Sequence, residues 1–294
     1  MLAVLVAPSN GGADDRTSDI RRLLELLTGV RLAYLEAFED RGAELESFTE
    51  LEEARLRLAE ARQVNDRLRL LSPADLAALA AAVGEDTGHP DVPDRVEALT
   101  KLVTERSDVV LETLPPAAPS AARGRTMFAD NCAGCHGARG AGDGPDARRG
   151  EMTPADFTSA AFMRRETPLD FAAMIGLGHR RRGMPEWAQS LSLQQRWDLV
   201  AFIWGLQHSD ADRAAGARTW KERCAACHGP TGAGVPDKAA DLTRPGSLAD
   251  RNDRTLFVRL FRPPHADAFA GLGDETRWQV VGHARALSLG GAGS

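Results

Sequence analysis

Apolar residues in the first third of the chain recur at steps of three and four, the period of an amphipathic α-helix. One such stripe runs over Ile20–Leu35, and a second, with charged residues between its apolar positions, runs over Leu51–Leu71. Ser72, Pro73 and Asp75 have the pattern of a helix start: an N-cap, a first-turn proline and a first-turn acid. We therefore predict a small bundle of four helices, over residues 20–35, 51–71, 73–83 and 94–112.

A proline-rich stretch, Leu114–Ser120, follows these helices. Its prolines make it stiff and non-helical, as expected of a linker. All five tryptophans lie beyond this stretch and none lies before it. We therefore expect two different kinds of domain to meet here, with a helical bundle domain over residues 1–115.

The remainder of the chain is an internal repeat. Gly124, Phe128 and Cys132 follow one another at four-residue steps, which places them along one face of a helix. The same residue types return at the same spacing at Gly216, Trp220 and Cys224. The sequence therefore predicts two related domains, over residues 116–209 and 210–294.

The C-terminal ends of the two repeats also match. Met184–Leu206 aligns without a gap on His265–Leu287. Ser192 and Gln195 have the spacing of a capping box, and Asp274 is the predicted N-cap of the second copy. We therefore expect each repeat to begin and to end with a helix.

Composition excludes several classes of function. The formal charge of −6 disfavours binding to nucleic acid or to anionic membrane surfaces. A hydrophobic fraction of 43% is typical of a soluble globular chain. No apolar run reaches the roughly 18–20 residues that span a bilayer.

The four cysteines determine the predicted chemistry. They form two Cys-x-x-Cys pairs, each followed directly by a histidine, which is the signature of c-type haem attachment. Two thiols add to the two vinyl groups of the porphyrin, and the next residue must reach the iron from the same side. One turn of helix presents all three groups together. The predicted attachment residues of two covalent haem c groups are Cys132, Cys135, Cys224 and Cys227, and the predicted proximal iron ligands are His136 and His228.

Other uses of paired cysteines fit this pattern less well. A thioredoxin-like redox pair needs a strand–helix context and does not account for the following histidine. A zinc site built from both pairs needs four converging thiolates, which the flanking helices oppose. A disulfide scaffold does not suit four cysteines in 294 residues.

With these motifs, residues 116–209 and 210–294 each resemble a class I cytochrome c domain. The shared features are the first helix with its glycine and aromatic residue, the CxxCHG motif and the last helix with its tryptophan. The resemblance implies an all-α fold in which a helical bundle precedes two tandem cytochrome c domains. It also implies that Gly124 and Gly216 are packing positions, where the first helix of each domain crosses the last.

The whole chain more loosely resembles the extracytoplasmic part of bacterial cytochrome c/iron-permease fusion proteins. The segments that carry this resemblance are Arg21–Gly42 and Asp143–Phe157. A second haem domain stands here in the place of the permease. The resemblance therefore gives no basis for predicting iron transport.

Met184 is the predicted distal ligand of the first haem. Gly183 and Pro185 fix its loop, which resembles the distal-ligand loop of the cytochrome c family, and a thioether suits haem iron. His179 is the alternative, although the run His179–Arg182 is typical of a solvated loop. Its arginines pair either with haem propionates or with an acidic partner, or they form a solvated basic face. The other internal methionines are interpreted as core residues: Met127, Met152, Met163 and Met174.

The second repeat has no methionine after Cys224. His265 occupies the position of Met184 in the gap-free alignment and is the predicted distal ligand. His283, inside the last helix, and an open sixth position are the alternatives. A one-residue shift of the alignment would place Ala266 at this position, which offers no other ligand.

The leading hypothesis is an electron carrier or electron-transfer subunit without catalytic residues, rather than a stand-alone enzyme. A Met/His first haem has a higher potential than a bis-His second haem, because a thioether favours reduced iron. The alternative is a diheme oxidoreductase, peroxidase-like or oxidising sulfur compounds, with an open or displaceable ligand at the second haem. A third hypothesis makes the N-terminal bundle a module for partner binding, against a purely structural appendage.

Haem attachment to CxxCH takes place outside the bacterial inner membrane, so we expect a periplasmic chain, soluble or membrane-associated. The expected partners are a redox donor and acceptor, with docking on a membrane complex left open. Leu2–Pro8 is too short for a whole secretory signal and has no positively charged start. We therefore expect either a start further upstream or processing.

Overall fold

A computed structural model describes residues 11–38, 47–150 and 152–290, with residues 11–14 as backbone alone. These residues form helices and loops, with two isolated β-bridges and no β-strand. The predicted all-α class is therefore confirmed. Leu2–Pro8 lies outside the described residues.

The chain divides into two compact units. The N-terminal unit takes the described residues up to Leu111 together with His179–Met184. The C-terminal unit takes Glu112–Gly178 and the described residues from Pro185 onwards. A short loop of the first repeat thus belongs to the N-terminal unit.

The N-terminal unit consists of the four predicted helices. Its apolar stripes form one core that includes Leu23, Leu27 and Leu51. The last helix ends earlier than predicted, because Asp108 adopts a left-handed conformation with φ 55° and its N–H caps the carbonyl of Thr104. The helices are α1 (Gly11–Ala37), α2 (Phe48–Leu68), α3 (Pro73–Gly84) and α4 (Val92–Ser107).

The C-terminal unit contains the second repeat and the first repeat without its loop His179–Met184, and each repeat begins and ends with a helix. The first repeat has α5 (Ala121–Asn131), α6 (Ala133–His136), α7 (Pro145–Arg149), α8 (Ala160–Met163), α9 (Pro168–Leu177) and α10 (Leu193–Gly205). The second has α11 (Asp210–Thr219), α12 (Ala225–His228), α13 (Asp253–Arg259) and α14 (Asp274–Ser288).

The two glycines at matching positions of the repeats lie where the first and last helices cross. A Cβ on Gly124 would stand 1.9 Å from the carbonyl oxygen of Asp198. A Cβ on Gly216 would stand 2.2 Å from the carbonyl oxygen of Gln279. Only glycine allows the two backbones to approach so closely, so both predicted packing positions are confirmed.

Of the two caps predicted for the last helices of the repeats, the one at Ser192 is present and the one at Asp274 is wrong. The Ser192 hydroxyl accepts the N–H of Gln195, whose side chain bonds back to the Ser192 N–H, as the capping box requires. The N-cap of α14 is Gly273, without a side-chain bond, and Asp274 is the first helical residue. A carboxylate at that position still favours the positive end of the helix dipole.

The two repeats share a buried polar cluster inside the C-terminal unit. The indole Nε1 of Trp204 donates to Asp253 at 3.1 Å, and Nε of Arg285 donates to the same carboxylate at 2.8 Å. All three residues are buried. Burial lowers the pKa of Arg285, and the charge of Asp253 acts in the opposite direction. The pairing satisfies groups that would be costly to bury alone.

Candidate haem sites

Each CxxCH motif forms a single helical turn. In the first repeat, Cys132 ends α5 and precedes α6, and its carbonyl accepts the N–H of His136 at 2.9 Å. In the second repeat, Cys224 precedes α12 in the same way. All four thiols are free. The turn therefore presents two thiols and one imidazole together, as covalent haem attachment requires.

Burial raises the pKa of the first thiol of each motif. Burial raises the pKa of Cys132 to about 11, and the neighbouring Cys135 adds to the effect. Burial also raises the pKa of Cys224 to about 11, with a further contribution from Cys227. Catalytic redox pairs instead lower the pKa of their attacking thiol. The arrangement therefore disfavours the thioredoxin-like alternative.

The ring of His136, the predicted proximal ligand, is held by a backbone carbonyl and an aromatic ring. Its Nδ1 lies 3.4 Å from the carbonyl oxygen of Ala155, and its ring stacks on Phe157 with centres 4.6 Å apart. A proton on Nδ1 leaves the lone pair of Nε2 for a metal. Burial lowers the pKa of His136, although the Ala155 carbonyl acts in the opposite direction. The neutral imidazole is the form that binds iron.

His228 and His265 face each other in the second repeat. Their ring centres are 6.1 Å apart and their planes differ by 9°. Two metal–nitrogen bonds of about 2 Å, with about 1 Å from each nitrogen to its ring centre, separate opposed imidazoles by about 6 Å. The Nδ1 atoms of both rings are buried and have no hydrogen-bond partner among the described residues. The ring-centre distance is compatible with two imidazole ligands of one iron, which the predicted roles of His228 and His265 would require.

The pKa values of this pair favour the neutral form. Burial lowers the pKa of His228, and the charge of His265 lowers it further. Burial also lowers the pKa of His265; the charge of Arg259 adds to this effect, and a hydrogen bond to the backbone of Arg259 opposes it. Two neutral imidazoles are what a bis-His site requires.

His283 packs at the helix crossing. Its ring centre lies 5.4 Å from that of Trp220, and its Cβ lies 3.2 Å from the position of a Cβ on Gly216. Trp220 in turn lies 5.5 Å from His228, ring centre to ring centre. His283 therefore packs against the indole of Trp220, whereas His265 lies against the imidazole of His228.

Met184 lies at the end of a closed loop in the N-terminal unit. Backbone hydrogen bonds of 2.9 Å join it in both directions to His179, across a turn that ends at Gly183 with φ 75°. The Met184 side chain is half-buried. The His179 imidazole is buried and hydrogen-bonded to Glu50. That pairing occupies Nε2 of His179 and so disfavours it as the alternative ligand. Met163 is fully buried, as expected of a core residue.

The sequence interpretation missed a buried set of charges on α2. Glu50, Glu53 and Arg57 are buried, and all three lie on the apolar face of the helix. Charged residues at helical spacing within an apolar stripe were the available signal. Glu36, Glu50 and His179 also bring possible metal-ligand atoms within 4.8 Å of one another. Because Glu50 already pairs with His179 and with Arg182, we interpret the group as an ion-pair network.

Comparison with known families identifies both repeats. Residues 121–207 match the model for cytochrome c, and residues 211–283 match that for cytochrome C oxidase, cbb3-type, subunit III. The chain carries two cytochrome c domains. Such domains bind haem c covalently, which accounts for both CxxCH turns.

Two curated relatives are cbb3-type cytochrome c oxidase subunits. FixPc of Rhizobium leguminosarum bv. viciae is 30% identical over 171 residues, which is 53% of this chain and 56% of the relative. FixP of Rhizobium etli is 29% identical over 185 residues, 58% of this chain and 61% of the relative. The chain thus spans less than two thirds of either relative.

One solved structure is also similar, a reducing HAO-like protein complex of Kuenenia stuttgartiensis. It shares 22% identity and covers 60% of this chain and 99% of its own, with a TM-score of 0.26. A likeness at that score carries no argument about this chain.

Proposed function

We propose that the chain is an extracytoplasmic electron-transfer cytochrome with two covalent haem c groups. Cys132 and Cys135 anchor the first haem, with His136 and Met184 as its axial ligands. The second haem is anchored at the other CxxCH turn. Its anchors are Cys224 and Cys227, and its axial ligands are His228 and His265.

The single observation that carries this proposal is the parallel pairing of His228 and His265 at 6.1 Å. It supplies a sixth ligand in the repeat that has no methionine after Cys224. With both axial positions taken by protein side chains, the iron has no position for a substrate. The pairing therefore favours an electron carrier over a diheme oxidoreductase with an open second site.

Haem iron supplies one-electron chemistry, and the protein sets its potential. The thioether of Met184 favours reduced iron more than the imidazole of His265 does. With these ligands the first haem would have the higher potential, and electrons would pass from the second repeat to the first. The protein half-buries His136 and His228, and this partial burial lowers the pKa of both, which favours the neutral imidazole that would bind iron.

The similarity to FixP-type subunits suggests a place beside a membrane oxidase complex. We propose that the partners are redox proteins, a donor and an acceptor, in a respiratory chain. No helix among the described residues has the length and hydrophobicity needed to cross a membrane. The three domains proposed are residues 1–115, 116–209 and 210–294, and the looser likeness of the whole chain to the extracytoplasmic part of cytochrome c/iron-permease fusion proteins stays a prediction.

The test combines a haem count with ligand variants of the full chain. A pyridine haemochrome assay should give two haem c groups per chain. Near-infrared spectra of the oxidised protein should show one thioether-ligated and one bis-imidazole iron. Met184→Ala should remove only the first signature and His265→Ala only the second.

His283→Ala is the matched control, because His283 packs against Trp220 in the same repeat. It should leave both signatures in place. Rapid binding of cyanide to one haem of the unmodified oxidised protein would contradict the proposal, since that result requires an open or displaceable ligand.

A further inference from the structure

The loop that carries Met184 is closed at its base. A Cβ on Gly178 would stand 2.5 Å from the carbonyl carbon of Pro185, so the two ends of the loop touch within the C-terminal unit. The six residues between them, His179–Met184, pack within the N-terminal unit. The side chains that hold this loop therefore come from the N-terminal helices.

Two buried carboxylates of α2 hold the loop. Glu50 accepts a hydrogen bond from the His179 imidazole and forms an ion pair with Arg182. Glu53 accepts the backbone N–H of Arg181 at 3.2 Å and the guanidinium of Arg57 at 2.9 Å. Glu50 is 1% exposed and Glu53 is fully buried, with 0% exposed.

These contacts lead directly to the ligand residue. His179, which Glu50 holds through its side chain, is joined to Met184 by two backbone hydrogen bonds of 2.9 Å. A buried carboxylate needs its partners, because an unpaired buried charge is strongly destabilising. Glu50 therefore fixes the side chain of His179, and His179 fixes the backbone of Met184.

We propose that Glu50 is a positioning residue for Met184, because it holds the loop in which Met184 lies. The proposal rests on the assignment of Met184 as the distal ligand of the first haem. The second repeat uses His265 of the C-terminal unit and has no contact of this kind among the described residues.

The test uses the full-length protein with both haems. Glu50→Ala should weaken the thioether–iron absorbance of the oxidised first haem and raise its cyanide association rate about tenfold or more, as a loss of about 1.4 kcal/mol would. Glu50→Gln, which keeps the size of the side chain but not its charge, should give a smaller change in the same direction. The second haem in the same molecule should keep its spectrum and its rate.

Glu52→Gln is the matched control. Glu52 lies on the same helix, but its carboxylate pairs with Arg55 instead of with the loop. This variant should leave the first haem unchanged. Where Glu50→Ala does not fold, Arg182→Gln removes the half-exposed partner instead and should also raise the cyanide rate.

The possible outcomes separate the two claims. If Met184→Ala leaves the thioether absorbance intact, the ligand assignment fails. If Met184→Ala removes it while the folded Glu50 and Arg182 variants keep the unmodified absorbance and cyanide rate, the positioning role is wrong and the ligand assignment stands.

Discussion

The two repeats share one scaffold and differ in where their candidate distal ligands lie. In the first, Nδ1 of His136 is paired with the Ala155 carbonyl, and the candidate distal ligand Met184 sits in a loop of the N-terminal unit. In the second, His228 and His265 both belong to the C-terminal unit, and neither Nδ1 has a hydrogen-bond partner within the described part of the chain. The CxxCH turn is thus repeated, whereas the candidate distal ligands are of different residue types and belong to different units.

The constant part of the comparison is the helix crossing. Glycine, aromatic residue and cysteine stand at the same spacing in both repeats, and both glycines touch a backbone carbonyl of the last helix. The turn before the cysteine differs, since Trp220–Cys224 is a π-helical turn whereas α5 is regular. Such turns are frequent at functional sites. The two repeats thus share the helix crossing and differ in the turn that leads into the first cysteine.

Exchanging the distal ligands should produce the largest effect. Met184→His should lower the potential of the first haem and His265→Met should raise that of the second, each by on the order of 0.1 V, because thioether favours reduced iron. A spectroelectrochemical titration of the full chain measures both. Potentials that stay unchanged in both variants would contradict the assigned ligands.

The two crossing glycines should respond alike. Gly124→Ala and Gly216→Ala should each lower the free energy of unfolding by about 1–3 kcal/mol, because the new methyl group meets a backbone carbonyl that has no room to move. Gly205→Ala is the control, since its Cβ would have only Arg213 within 4 Å, at 3.7 Å, and it should change stability by less than about 1 kcal/mol. Chemical denaturation followed by tryptophan fluorescence measures all three.

The aromatic residues at matching positions, Phe128 and Trp220, should contribute differently to the free energy of unfolding. Nε1 of Trp220 donates to the buried carbonyl of Gly229 at 3.1 Å, whereas the corresponding Phe128 has no donor. Trp220→Phe should therefore cost about 1–3 kcal/mol by leaving that carbonyl unpaired. An unchanged denaturation midpoint for Trp220→Phe would show that water replaces the bond.

Acid should weaken the N-terminal unit, which holds the first distal loop. Burial alone would raise the pKa of Glu50, but the hydrogen bond and charge of His179, with Arg182, outweigh burial and lower it. In Glu60, the bonds and charges of Arg22 and Arg180 likewise outweigh burial and lower the pKa. Their stabilisation is complete above the ordinary value of 4.5 and is lost as the pH falls through the lowered pKa values.

The measurement is circular dichroism of the holoprotein during a titration from neutral to acid pH, with Glu50→Gln as the comparison. The variant should lose less stability over that range than the unmodified chain, because it has one carboxylate fewer to protonate. Equal losses in both would show that the Glu50 network does not contribute.

Local signals in the sequence were sufficient for much of the fold. The Ser72 cap, the Ser192 box and the spacing of Gly124 before Cys132 involve neighbours within four or eight residues, so their geometry follows from helix periodicity. The predicted N-cap at Asp274 was one residue late, because a glycine can occupy that position without a side-chain bond.

Long-range pairing accounts for what could not be predicted. Glu50 and His179 are 129 residues apart, and neither residue by itself indicates the other. Gap-free alignment indicated His265 as the counterpart of Met184, but the parallel arrangement of its ring against His228 depends on how the intervening loop folds. Sequence periodicity carries no information about such closures.

The cluster of Trp204, Asp253 and Arg285 has a practical consequence for protein production. The indole belongs to the first repeat and the ion pair to the second, so a cut between them leaves a buried carboxylate without one donor and exposes a large apolar ring. Each repeat expressed alone would expose an apolar patch that favours aggregation, and the second repeat would carry a carboxylate that lacks one hydrogen-bond donor. The redox potential of each haem is therefore best measured in the full chain after the other haem site has been removed by mutation. A repeat expressed alone would have altered surroundings around its haem.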